Sequence, residues 1–199
     1  MITVDVVLEA EPLDDFTAWP ISDLSGRRYL ELSGTMTRLE VGTAIAVILA
    51  YNNVPLDKVM DAALLDHHLA EAEMLIAPGG LRFHDTATGA EFVPGCCFGL
   101  ENWRDWQAAA DGHDIFLGHS PDSRLEHHNG YIRLWQDARS PKPTLDLDSK
   151  RLTELLATSE RNLQDFLSAT RNWADTALPH LATSLVATLD EHLHINPRN

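Results

Sequence analysis

The stretch "LRFHDTATGAEFVPGCCFGLENWRDWQAAADG", residues 81–112, changes its hydrophobic period partway along, and that change decides the fold class. Leu81 and Phe83, and then Phe92, fall on alternating patterns around "DTATG", a loop whose Asp85 and Gly89 suit a hairpin turn. Beyond Gly99 the pattern is helical. Trp103, Trp106 and Gln107 lie on nearby faces of a short helix that ends at Gly112. A hairpin that runs through a Cys-Cys turn into a helix points to an α+β chain.

A second hairpin follows. "RLEHHNGYIRLWQD" places Asn129-Gly130 between two extended arms, a pair suited to the two positive-φ positions of a type I′ turn. Phe83, Phe92, Trp103, Trp106, Leu134 and Trp135 are the expected core of this middle region. On the N-terminal side, "MITVDVVLEA" and "RRYLELSG" (27–34) read as strands, joined by a turn-rich loop pinned by Phe16 and Trp19. Residues 41–53, "VGTAIAVILAYNN", fit a buried strand or a helix, since a continuous apolar run has no deciding period. Leu56, Val59, Met60, Ala63 and Leu64 then take helical spacing, ended by Pro78-Gly79-Gly80.

The C-terminal third reads as helical. After an extended linker, "SPKPTLDLDS" (140–149), Asp148 or Ser149 can cap a long helix with Leu152, Leu155, Leu156, Leu163, Phe166, Leu167 and Trp173 on one stripe. Pro179 suits the start of another helix, with Leu181, Leu185, Leu189 and Leu193 at four-residue intervals. The expected architecture is α+β, with an antiparallel sheet built from hairpins packed against helices and a C-terminal helical hairpin. It forms a single domain over 1–199, in which 1–78, 79–139 and 148–195 are successive parts.

Thirty acidic against 15 basic side chains give a formal charge of −15. Residues 1–100 carry 15 acidic and 5 basic groups, and residues 101–199 carry 15 and 10, so the acidity concentrates in the first half. Such a field opposes direct nucleic-acid binding, because each phosphate contact needs a cation. No basic leader with a cleavage site and no apolar run near the ~20 residues of a membrane span is seen, so no membrane contact is expected. Adjacent cysteines do not form an ordinary structural disulfide between separate elements, which fits a reducing, cytoplasmic compartment.

Cys96 and Cys97 stand just before the expected helix start, where amide groups and the helix dipole favour a thiolate. Glu101 in the same turn and the lack of a nearby lysine oppose this, and cysteine between glycines and tryptophans reads better as a small packing residue. His84, His113, His119, His127 and His128 share the region, so a Cys/His zinc site is conceivable. Neighbouring residues on an extended segment point to opposite faces, however, so each Cys or His pair offers one ligand readily. With no C-x-x-C or H-E-x-x-H, no metal and no cofactor are expected. Phosphate loop, dinucleotide turn and serine elbow are likewise missing.

The segments "PGGLRFHDTATGAEFVPGCCFGLENWRDW" and "FLGHSPDSRLEHHNGYIRLW" resemble a group of uncharacterised bacterial proteins sharing P-G-C-C-x-G-L-E-x-W, a following G-H-x-P turn and a hairpin. No activity is established for that group. The resemblance implies only that hairpin, Cys-Cys turn, helix and hairpin form one structural unit.

The functional expectation is a non-enzymatic, acidic protein-binding module, immunity-like or inhibitor-like, engaging a protein partner with a basic surface, with a homodimer also open. Its candidate surface comprises Asp14, Asp15, Phe16, Trp19, Asp23, Glu31, Glu71 and Glu73, the aromatics serving as desolvated anchors. The alternative is a small enzyme or ligand-binding protein with a pocket near the Cys-Cys turn, using Cys96 or Cys97 with His84 or His119.

Overall fold

The computed structural model describes residues 1–10, 13, 16–55 and 62–197. Asp14, Asp15, Leu56, Val59 and Met60, named above, lie outside them. Two antiparallel sheets share one hydrophobic core. In the first, β1 (Ile2–Glu9), β2 (Tyr29–Glu31), β3 (Gly79–Asp85) and β4 (Ala90–Phe92) lie in the order β2-β1-β3-β4. Val4 pairs with Phe83 and Val6 with Leu81, and all four are buried, as the alternating pattern requires.

The ambiguous run 41–53 belongs to α1 (Arg38–Tyr51), in which every residue from Val41 to Leu49 is buried. A helix apolar on all sides has no stripe, which is why periodicity does not identify it. Its start carries a local signal all the same. Thr37 Oγ1 accepts the Glu40 N–H at 3.3 Å while Glu40 Oε2 accepts the Thr37 N–H at 2.9 Å, a capping box. The next helix, α2 (Ala62–Glu71), buries Leu65 and Leu69 and exposes Ala63. It stops at Glu71, well before Pro78, because side chains claim the following backbone. Asn52 exchanges hydrogen bonds with the Ile76 N–H and C=O at 2.9 and 2.7 Å, and His192 Nδ1 accepts from Leu75 N at 2.9 Å.

The second sheet runs β5 (Arg124–His128), β6 (Tyr131–Trp135), β7 (Leu145–Asp148) in that order. The segment 140–149 is therefore more than a linker. Leu145 and Leu147 face inward opposite Leu134 and Ile132, while Asp146 forms a two-pronged pair with Arg133 at 2.7 and 2.8 Å. At the β5–β6 turn only Gly130 takes positive φ, 86°, and Asn129 does not, so the turn is not type I′. The two middle hairpins thus enter different sheets, and Gln136 ties them by bonding both the Val93 N–H (2.8 Å) and C=O (2.7 Å).

The long helix α4 (Ser149–Ala177) is capped by Asp148, whose carboxylate accepts from Arg151 N at 2.9 Å. All seven residues of its expected stripe are buried, and it packs on α1, α3 (Asp105–Ala110), α5 (Ala182–His192), β1 and β7. The six expected core residues of the middle region, from Phe83 to Trp135, are also buried. Among the described residues no helix is long and apolar enough to cross a membrane.

Candidate functional site

The segment 94–104 is fastened to the body on both flanks of its cysteines. Downstream, the Leu100 N–H donates to the Ala77 carbonyl at 2.9 Å, and Glu101 Oε2 accepts the Ala77 N–H at 3.1 Å. Burial pushes the Glu101 carboxyl above its ordinary range. A single 3₁₀ turn, Leu100–Asn102, then delivers Trp103, whose indole N–H reaches the Leu193 carbonyl at 2.9 Å. Arg104 lies over the Trp103 ring and bonds Glu160, the Ile195 carbonyl and the His194 carbonyl. The P-G-C-C-F-G-L-E-N-W-R run thereby anchors to both the 72–78 segment and the C-terminal end.

Upstream, the turn docks on the Gly118-His119-Ser120-Pro121 segment. The Gly95 N–H donates to the Leu117 carbonyl at 2.8 Å and the His119 N–H to the Cys96 carbonyl at 2.9 Å, forming an isolated antiparallel bridge between Cys96 and His119. The approach leaves no space for side chains. A Cβ on Gly95 would stand 2.5 Å from the Pro121 oxygen, and one on Gly118, already at φ 79°, would stand 2.4 Å from the Gly95 oxygen. Two glycines in separate motifs thus permit one backbone contact.

That contact brings the thiols and an imidazole together. Cys97 adopts φ 68°, which rotates its side chain toward that of Cys96, and the two sulfurs lie 3.4 Å apart. The expectation that adjacent cysteines face opposite ways holds for extended backbone and fails at a left-handed residue. Both side chains are exposed, so they are not packing residues either. Phe98 and Leu100, at 2% and 0% exposure, fill the core position that the cysteines leave. His119 completes the group, its ring nitrogen and the two sulfurs all lying within 4.8 Å of one another. The hydrogen bond between the thiols, with burial second, raises the Cys96 thiol above its ordinary value.

The other candidate histidines lie elsewhere. His84 sits on β3 between Thr3 and Glu91, away from the cluster. His127 contacts the His113 carbonyl at 3.0 Å, and His128 stacks on Tyr131. Cys96 and Cys97 instead line a cavity of about 340 Å³ together with Tyr51, Met74, Ile76 and Glu101. Ser120 and Pro121, flanking His119, line it too.

The candidate acidic surface is differently placed. Trp19 is buried, donating its indole N–H to the Gly42 carbonyl at 2.8 Å and meeting Trp173 edge to face; half-buried Phe16 packs against it. Trp19 closes the loop onto α1 and α4 with Phe16 packed on it, so Trp19 is no exposed anchor. Asp23 accepts the Ser25 N–H at 2.8 Å, and hydrogen bonds from Ser25 hold its carboxyl below the ordinary range. Glu31 pairs with Arg82 at 2.6 Å, and Glu71 and Glu73 are exposed at the end of α2.

Searches for similar proteins find no matching family model, no matching curated protein and no matching solved structure.

Proposed function

We propose that this chain is a ligand-binding protein whose working site is the Cys96–Cys97 dithiol on the cavity wall, and that its ligands carry a thiol-seeking centre. One observation carries this reading: two exposed sulfurs 3.4 Å apart on the wall of a cavity of about 340 Å³. A pair so close can clasp one atom between them, which a lone thiol does not do. The cavity supplies space for the rest of the ligand, with Tyr51, Ile76 and Phe98 as its apolar wall and Glu101 as a polar one. The protein-docking alternative rests on charge and half-buried Phe16, since its other aromatic anchor, Trp19, is committed to the core.

A trivalent arsenical tests the reading directly. With phenylarsine oxide, two S–H bonds and the As=O group are exchanged for two As–S bonds and one water. The reduced, folded chain is expected to take one equivalent and to keep it against excess monothiol, whereas Cys96→Ser and Cys97→Ser release it, as read by intact-mass measurement. No adduct on the folded chain, or one held equally well by either single variant, overturns the proposal.

A further inference from the structure

We infer that the Cys96, Cys97 and His119 side chains form a zinc site with its fourth position open toward the cavity, an inference that rests on the ligand-binding reading above. Zinc bound by tetrahedral ligands takes sulfur at about 2.3 Å and imidazole nitrogen at about 2.0–2.1 Å, which sets S···S near 3.8 Å and S···N near 3.6 Å. The sulfurs here lie 3.4 Å apart and the three ligand atoms fall within 4.8 Å of one another. The sulfurs need move apart by a few tenths of an ångström, and the exposed His119 side chain is free of core packing that would resist a short approach.

The frame that holds the ligands is stiffer than the ligands themselves. Cys97 is fixed at φ 68° between the anchored Phe98 and the bridge residue Cys96, and His119 is held by the same bridge through its backbone. The geometry is therefore set by main chain from two segments more than 20 residues apart, leaving the imidazole itself available. Such a frame reduces the ordering that metal binding must impose on the chain.

Charge and donor type agree on the occupant. Two thiolates and a neutral imidazole suit zinc and disfavour magnesium and calcium, which require oxygen ligands. Binding releases two thiol protons, and the resulting Zn(S⁻)₂(His) unit is neutral. Glu9, paired with Arg28 at 3.7 Å, and Glu101 line the same cavity, so its wall carries little net charge of its own, and the attraction for a cation comes from the chain as a whole, of formal charge −15. Three protein ligands with a fourth position left for water or a bound molecule distinguish a working zinc from a closed structural one. Both cysteines and Ser120, the neighbour of His119, line the cavity while His119 itself does not, so an ion held by all three stands at the cavity's margin, with its fourth position beside that space.

The test titrates the reduced full-length chain with zinc against a chromophoric chelator and with cobalt(II) as a spectroscopic stand-in. One ion per chain is expected, with a thiolate-to-cobalt charge-transfer band and the intense visible bands of a tetrahedral site. Cys96→Ser, Cys97→Ser and His119→Ala should each weaken zinc by ~100-fold or more, beyond the loss caused by removing a merely supporting group. His84→Ala and His128→Ala, which alter histidines outside the cluster, should bind as the unmodified chain does. Circular dichroism verifies folding of each variant. His119→Gln gives a second version of the decisive change, as the bridge uses only the backbone of that residue. A chain that retains the arsenical but takes no zinc overturns this inference and leaves the ligand-binding reading standing. Undiminished zinc binding by folded His119 variants overturns the three-ligand site, and failure with both reagents removes both proposals.

Discussion

The Cys-Cys turn and the C-terminal helical hairpin are held by opposite means. Along α4 and α5 each buried residue repeats at helical spacing, and the backbone is regular, so stability resides in the side chains: Leu163 and Phe166 at 0% exposure, Leu185 and Leu189 at 1%. In the turn the side chains that matter are exposed and the backbone is irregular. Cys97 and Gly118 take positive φ, and the two segments meet through amides and carbonyls with no room for a Cβ. The difference teaches where chemistry can be placed. A regular amphipathic helix spends its apolar residues on packing, whereas a turn whose shape is set by main-chain contacts leaves its side chains for a ligand.

The sharpest way to break this comparison is to remove side-chain packing from the helical hairpin. Phe166→Ala should cost about 3–5 kcal/mol of unfolding free energy by denaturant titration, through lost burial and a residual cavity. Where enough folded protein remains, arsenical capture by Cys96 and Cys97 should be unchanged. A variant that is stable yet loses the adduct would show that the contacts of Trp103 and Arg104 with Leu193, Glu160 and Ile195 position the thiols as well as fasten the turn.

A backbone change should do the reverse. Gly118→Ala places a side chain at φ 79° and a Cβ 2.4 Å from the Gly95 oxygen. The left-handed backbone alone costs ~1–3 kcal/mol, and the overlap pushes the two segments apart. Arsenical retention and zinc affinity should therefore both fall although no sulfur or imidazole has been altered. Unchanged retention in the folded variant would mean that the bridge does not position the thiols.

The smallest effect concerns Glu101, the carboxyl that ties the turn to Ala77. Its carboxyl is raised by burial, so the folded state favours the protonated form. That contribution to stability is present below the ordinary carboxyl value of 4.5 and is lost as pH rises through the raised value. Glu101→Gln keeps an acceptor for the Ala77 N–H but does not titrate. The stability of the native chain relative to this variant should decline across that window and stay level on either side, as read by urea unfolding at a series of pH values. A flat difference throughout would remove the buried-carboxyl account of the turn.

Much of the fold was legible in the residues. Alternation identified β1, β3 and β4, spacing identified α4 and α5, and Asp148 marked the start of α4. The failures have specific causes. α1 is buried on every side, and its Thr37-x-x-Glu40 capping box was the signal that would have separated helix from strand. β7 is four residues long behind two prolines, so its Leu145/Leu147 alternation reads as linker. Trp19 reads as a surface residue because its loop is rich in turn residues and acids, while its indole proton meets an α1 carbonyl, a partner remote in sequence.

For the candidate site, sequence alone determined the reagents: two adjacent cysteines, a G-H-S-P segment some twenty residues on, and glycines beside both. It also determined the acidic balance that favours a cation over a phosphate. Tertiary structure decided which reagents meet. Whether neighbouring thiols diverge or converge depends on the φ of one residue, and Cys97 takes its left-handed value in a turn anchored through Leu100, Glu101 and Trp103 on one side and the Cys96–His119 bridge on the other. Residue type constrains that angle weakly for a non-glycine, and the contacts that select it come from segments distant along the chain. The choice of His119 over His84, His113, His127 and His128 follows from the same backbone bridge, which no spacing of histidines encodes.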